Sequence, residues 1–81
     1  METKVAIIGI VVEDNNKISD VQKTLSDYSD FIIGRMGIPY KTKNVRIISV
    51  VLDAPVDTIN ALTGKIGRIN GISAKTVIAN V

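Results

Sequence analysis

Two stretches of the chain are apolar almost throughout. "VAIIGIVVE" (Val5–Glu13) and "VRIISVVLD" (Val45–Asp53) stand forty residues apart and share Val, Ile, Ile and Val at four positions. Gly9 matches Ser49, and an acid ends both. Runs rich in β-branched residues and apolar on both faces read as central strands. A period of two puts Val5, Ile7, Val11, Val45, Ile47 and Val51 on one side of the sheet. Ile8, Ile10, Val12, Ile48, Val50 and Leu52 fall on the other. The even-numbered set is the bulkier and is assigned to the side beneath helices. The odd-numbered face, with the small pair Gly9 and Ser49 at its centre, is left for a second subunit.

After the first strand the pattern changes period. In "DNNKISDVQKTLSDYSD", Ile18, Val21, Leu25 and Tyr28 recur at helical spacing, with Asp20, Lys23, Asp27 and Asp30 mainly between them. Asp14, Asn15 and Asn16 are good helix N-caps, so a helix over about residues 16–29 is predicted. The second strand is followed by "APVDTINALTGKIGRING". Pro55 suits the first helical turn, Asp57 complements the positive helix end, and Gly67 ends the helix. Asn70-Gly71 turns the chain into a last alternating strand, "ISAKTVIANV". A further strand, "FIIGRMGIPYK", joins the second apolar stretch through a hairpin at Lys41-Thr42-Lys43-Asn44. The order predicts a single α+β domain over residues 1–81: a ferredoxin-like βαββαβ sandwich, a four-stranded antiparallel sheet with two helices on one face. Right-handed crossovers are expected to put its first and third strands side by side in the middle, parallel, which accounts for their similar reading.

The hairpin strand carries Gly34 and Gly37 among β-formers, with Arg35 and Met36 between them. Glycine inside a strand marks a bulge or the close approach of another chain or ligand. In this topology the strand is an edge, so Gly34, Met36, Gly37, Ile38 and Tyr40 are candidate interface residues. Arg35 either blunts the edge, pairing with Asp27 or Asp30, or meets an anion or a second subunit.

Composition removes most chemistry. The 81 residues contain no cysteine and no histidine, and no Ser–Lys or paired-carboxylate arrangement stands at a catalytic spacing. No enzyme, cofactor or metal site is therefore expected. Glu13, Asp14 and Asp53 end adjacent strands and could offer oxygen to a hard cation, but capping is the favoured role of residues 13–16. The apolar share, 46%, is high for so short a chain, and only Tyr28, Phe31 and Tyr40 are aromatic. Such an aliphatic excess predicts a homo-oligomer, dimer or tetramer. The longest apolar run, Val5 to Val12, is too short for a membrane span and has no cleavable site, which makes a cytoplasmic protein the expectation. Residues 1–40 hold four basic and six acidic side chains (−2), residues 41–81 six and two (+4). Solvated surface is the favoured reading of this asymmetry over self-association.

Fold-mates are narrowed by the same residues. RNA recognition needs aromatic stacking platforms on the central strands, which have none. A copper chaperone needs paired cysteines, and a phosphate-cradling catalytic loop needs glycine and arginine where "EDNNK" stands. Through "YSDFIIGRMGIPY", "IISVVLDAP" and "ALTGKIGRINGISAKT" the chain resembles the iron-only hydrogenase system regulator family over nearly its whole length. That resemblance implies an ACT-like regulatory domain related to the C-terminal domain of nickel-responsive repressors. It also implies a transcription-related sensing role. With Asp14, Asn15, Asn16 and Arg35 as candidates, a small-molecule effector is expected at the subunit boundary near the first strand–helix loop. A zwitterion or cation is favoured there because the loop is acidic. The alternative is an interaction module that senses nothing and docks on another regulatory protein. Direct nucleic-acid binding is not expected, since there is no helix-turn-helix, basic arm or basic helix.

Overall fold

The computed structural model describes residues 2–81. The elements β1 (Lys4–Val12), α1 (Ile18–Asp27), β2 (Ile32–Tyr40), β3 (Val45–Ala54), α2 (Val56–Gly67) and β4 (Ile72–Ala79) follow the predicted order. The strands form one sheet, β2-β3-β1-β4, with β2 at an edge. This is the ferredoxin-like α+β fold.

Every neighbouring pair is antiparallel, β1 with β3 included, which corrects the parallel pairing expected from right-handed crossovers. The reason is topological. The α1 crossover returns β2 parallel to β1 but one strand away, and the hairpin then lays β3 between them in the opposite direction. Gly9 consequently faces Ser49 directly, while other matched positions of the repeat move apart: Val5 faces Asp53, and Val11 faces Ile47.

The side-chain alternation holds as predicted. Ile8, Ile10, Val12, Ile48, Val50 and Leu52 are buried, together with Ala6 and Ala54. Val21 and Leu25 of α1 and Ile59, Leu62 and Ile66 of α2 close over them. The two Thr hydroxyls of Thr63 and Thr76, 2.6 Å apart, tie α2 to β4. At the first crossover the predicted helix is shorter than residues 16–29, with a tight 3-10 turn on each side (Asn15–Lys17 and Ser29–Phe31). The Asp14 carboxylate accepts the Asn16 N–H at 3.0 Å, which satisfies a free donor and holds the entry in that tighter turn.

Gly71 completes the turn into β4 with φ +79°, and a Cβ there would lie 2.7 Å from the Asp14 Cβ. Its carbonyl accepts the Glu13 N–H at 2.8 Å. Glycine is required at this position by both backbone and contact. Among the described residues, no helix is long and apolar enough to cross a membrane.

Candidate functional site

Two features stand outside the core. The first is the odd-numbered face of the sheet, which no helix covers. Ile7, Val11, Met36, Ile38, Tyr40, Ile47 and Val77 are all large, apolar and at least 37% exposed, and the strand register puts all seven on this side. Its middle row runs Lys75, Gly9, Ser49, Met36 across the four strands. The two small residues make a shallow trough between longer side chains. A Cβ on Gly9 would meet nothing within 4 Å, so neither packing nor backbone within the chain demands glycine there.

The second feature is a groove on the helix side, where α1 stops short of the edge strand. It consists of two adjoining hollows. One, of about 220 Å³, is lined by Gln22, Arg35, Met36, Gly37, Arg46 and Ile48; the other, of about 330 Å³, by Asn15, Ile18, Lys41, Asn44 and Arg46. Pro39 and Arg46 belong to both. Three cationic side chains border the groove and no carboxylate does. Tyr40 and Val45, at the strand ends, border the second hollow as well.

The structure distributes the predicted residues between these features. Asn15 and Arg35 lie at opposite ends of the groove, and the Asn15 amide donates to Asn44 Oδ1 at 3.2 Å. Asp14 and Asn16 are occupied with each other in the cap. Arg35 donates to the Gln22 side-chain carbonyl of α1, not to Asp27 or Asp30. Gly34, Met36, Ile38 and Tyr40 share the open sheet face, whereas Gly37, paired with Ile48, faces the helix side. A bulge, one of the alternatives that the strand glycines leave open, sits between Ile32 and Gly34, and Ile33 is exposed. No group of three or more metal-binding side chains comes together among the described residues, so Glu13, Asp14 and Asp53 do not gather as a cation site.

Sequence reasoning missed Arg46, Gln22 and Asn44. Arg46 carried a signal: it stands in the even, core-facing phase of β3, where the first copy of the repeat has Ala6. A charge in that phase marks a place the helices do not seal.

A four-stranded antiparallel sheet with both helices on one face and exposed apolar side chains on the other defines a ferredoxin-like α+β domain. Residues 4–76 match the TM1266-like family, described as "Iron-only hydrogenase system regulator, putative", and the chain belongs to that family. TM1266 from Thermotoga maritima, an uncharacterized protein, is 41% identical and superposes with a TM-score of 0.92, covering 98% of this chain and 100% of that one. A formyltetrahydrofolate deformylase from Pseudomonas putida, 13% identical, covers 95% of this chain and 29% of its own with a TM-score of 0.69. An unknown protein from Galdieria sulphuraria, 15% identical, covers 99% of this chain and 47% of its own with a TM-score of 0.66. These two share the fold alone. No curated protein matches the sequence.

Proposed function

We propose that the chain is a non-catalytic, ACT-like regulatory module of an iron-only hydrogenase system, cytoplasmic and working as a homo-oligomer. Family membership supports the regulatory role. The observation that carries the oligomer is the open sheet face, where seven large apolar side chains stand in water. A sheet with helices on one side ordinarily turns polar residues outward on the other. Here burying the exposed part of each side chain against a second copy contributes on the order of 1 kcal/mol. The trough at Gly9 and Ser49 lets a partner side chain approach the backbone, and Met36 beside it is flexible enough to fill it.

In this reading the groove between α1 and β2 is the sensing site. It lies along the same edge strand that turns Met36, Ile38 and Tyr40 to the subunit contact, and Met36 and Tyr40 border the groove as well. A ligand that stiffens β2 then acts on association and on whatever regulator the oligomer engages. Any effect on transcription passes through that partner, not through nucleic acid bound by this domain.

Sedimentation equilibrium tests the reading. The wild type should associate at micromolar concentration. Ile47→Lys, which places a charge at the centre of the open face, should give a monomer with an unchanged circular-dichroism spectrum. A wild type that stays monomeric overturns the oligomer and returns the docking-module alternative, in which another protein covers this face.

A further inference from the structure

The groove has a chemical preference that its residues state. Arg46 is half-buried on the helix side of β3, and among the described residues its side chain forms neither an ion pair nor a hydrogen bond. Arg35 is tied to a neutral partner, the Gln22 amide, so its charge is uncompensated. Arg35 is exposed and Arg46 half-buried, so both keep N–H donors directed at solvent that a carboxylate or phosphate can accept from in pairs. Along β2 the helix-facing positions run Arg35, Gly37, Pro39, and Pro39 is the register partner of Arg46. The two arginines are thus separated by about 13 Å along the strands, roughly four residues, and both line the hollow that contains Gly37.

Gly37 is the middle residue of that stretch of β2. Its φ is not in the left-handed region, and a Cβ built on it meets nothing within 4 Å. Glycine is needed there by neither conformation nor contact. Its bareness leaves open the floor of the hollow between the two arginines, with Pro39 and Ile48 as apolar walls.

We infer that this groove binds a small oxyanion, a carboxylate or phosphate group gripped by Arg46 and Arg35 above Gly37. The inference rests on the groove being the sensing site and names its ligand class, in place of the zwitterion or cation that the acidic first loop favours. Asp14, the acid of that loop adjacent to the groove, has its carboxylate engaged by the Asn16 N–H and does not line either hollow.

Nitrogen–proton NMR titration of the full chain at constant ionic strength tests it, with inorganic phosphate and succinate in separate arms to distinguish the two oxyanions. Glycine and magnesium serve as zwitterionic and cationic comparisons. Saturable shifts of the Gly37 amide and the Arg46 Nε–H are expected with at least one anion. Arg46→Gln should weaken that binding at least about tenfold, the loss of a charge-assisted contact. Gly37→Val should abolish it by filling the floor, with the remaining spectrum showing the fold intact. Shifts that do not saturate, that persist unchanged in Arg46→Gln, or that appear with glycine or magnesium instead overturn the inference. If anions fail while the chain still associates, the oligomeric regulatory reading stands without this ligand. If anions bind a chain that is monomeric at every concentration, the site stands and the oligomer falls.

Discussion

Ile7 and Ile8 are neighbours in one strand and chemically identical, yet Ile7 is 47% exposed and Ile8 not exposed at all. The same contrast holds across the sheet, Ile47 against Ile48 and Val11 against Val12. Large aliphatic side chains stand on both faces of the central strands, but helices cover only one of them. Since α1 and α2 bring Val21, Leu25, Ile59, Leu62 and Ile66 to one side alone, one apolar face becomes core and the other remains surface. Stability of the isolated chain should therefore be concentrated on the even-numbered face, and association on the odd-numbered one.

Alanine substitutions at the adjacent isoleucines separate those roles most sharply. Ile8→Ala leaves a cavity in a fully packed layer and should cost about 2–5 kcal/mol. In the monomer Ile7→Ala should cost well under half of that, because its side chain already meets water. Urea denaturation of both variants, in a background kept monomeric by Ile47→Lys, provides the comparison. Equal losses would mean that the two faces are not energetically distinct.

The alternation of single residues made this division legible before any coordinates, because a period of two assigns every side chain of a strand to a face. The strand direction was less legible. Similarity between the two halves of the repeat says that they share an environment, and an antiparallel pair related by a local two-fold provides that as well as a parallel one. Gly9 opposite Ser49 is where this two-fold passes. The groove was legible in part. Asn15 and Arg35 stood out as a cap residue and a lone charge in an edge strand, but the residue joining the two hollows is Arg46, and nothing local connects it to Asn15. Their proximity depends on α1 ending short of β2 and on the β2–β3 register, both properties of the assembled sheet. Gly34 and Gly37 looked equivalent in sequence and face opposite ways, because three residues of extended chain is an odd step.

Enlarging small residues probes the faces from the other direction, with a smaller effect. Ala6 is 1% exposed between the sheet and the helices, and Ala6→Leu should overpack that layer and cost about 1–3 kcal/mol. Gly9→Val adds bulk where a Cβ meets nothing within 4 Å, so the monomer should keep its stability or gain slightly from the β-branched residue. The same substitution fills the trough and should weaken association. Thermal denaturation read together with sedimentation distinguishes the effects. A Gly9→Val monomer that melts well below the wild-type chain would show the odd face to be packed within one subunit.

Gly37→Ala is the smallest perturbation and marks the limit of the contrast between faces. Gly37 belongs by register to the helix side, the side where enlargement should be costly, yet α1 does not reach over β2 and the added methyl has open space. Its backbone is not left-handed, unlike that of Gly71, so alanine fits without strain. Removing glycine also reduces the conformational freedom of the unfolded chain, which at a compatible position stabilises by about 0.4–1 kcal/mol. The substitution should therefore raise the urea midpoint slightly. A lowered midpoint would mean that α1 or the Arg35 side chain packs onto Gly37 in solution and that the helix side is sealed out to the edge strand. A raised midpoint accompanied by weaker oxyanion binding would show that glycine is kept at this position at a cost to stability, for the space above it.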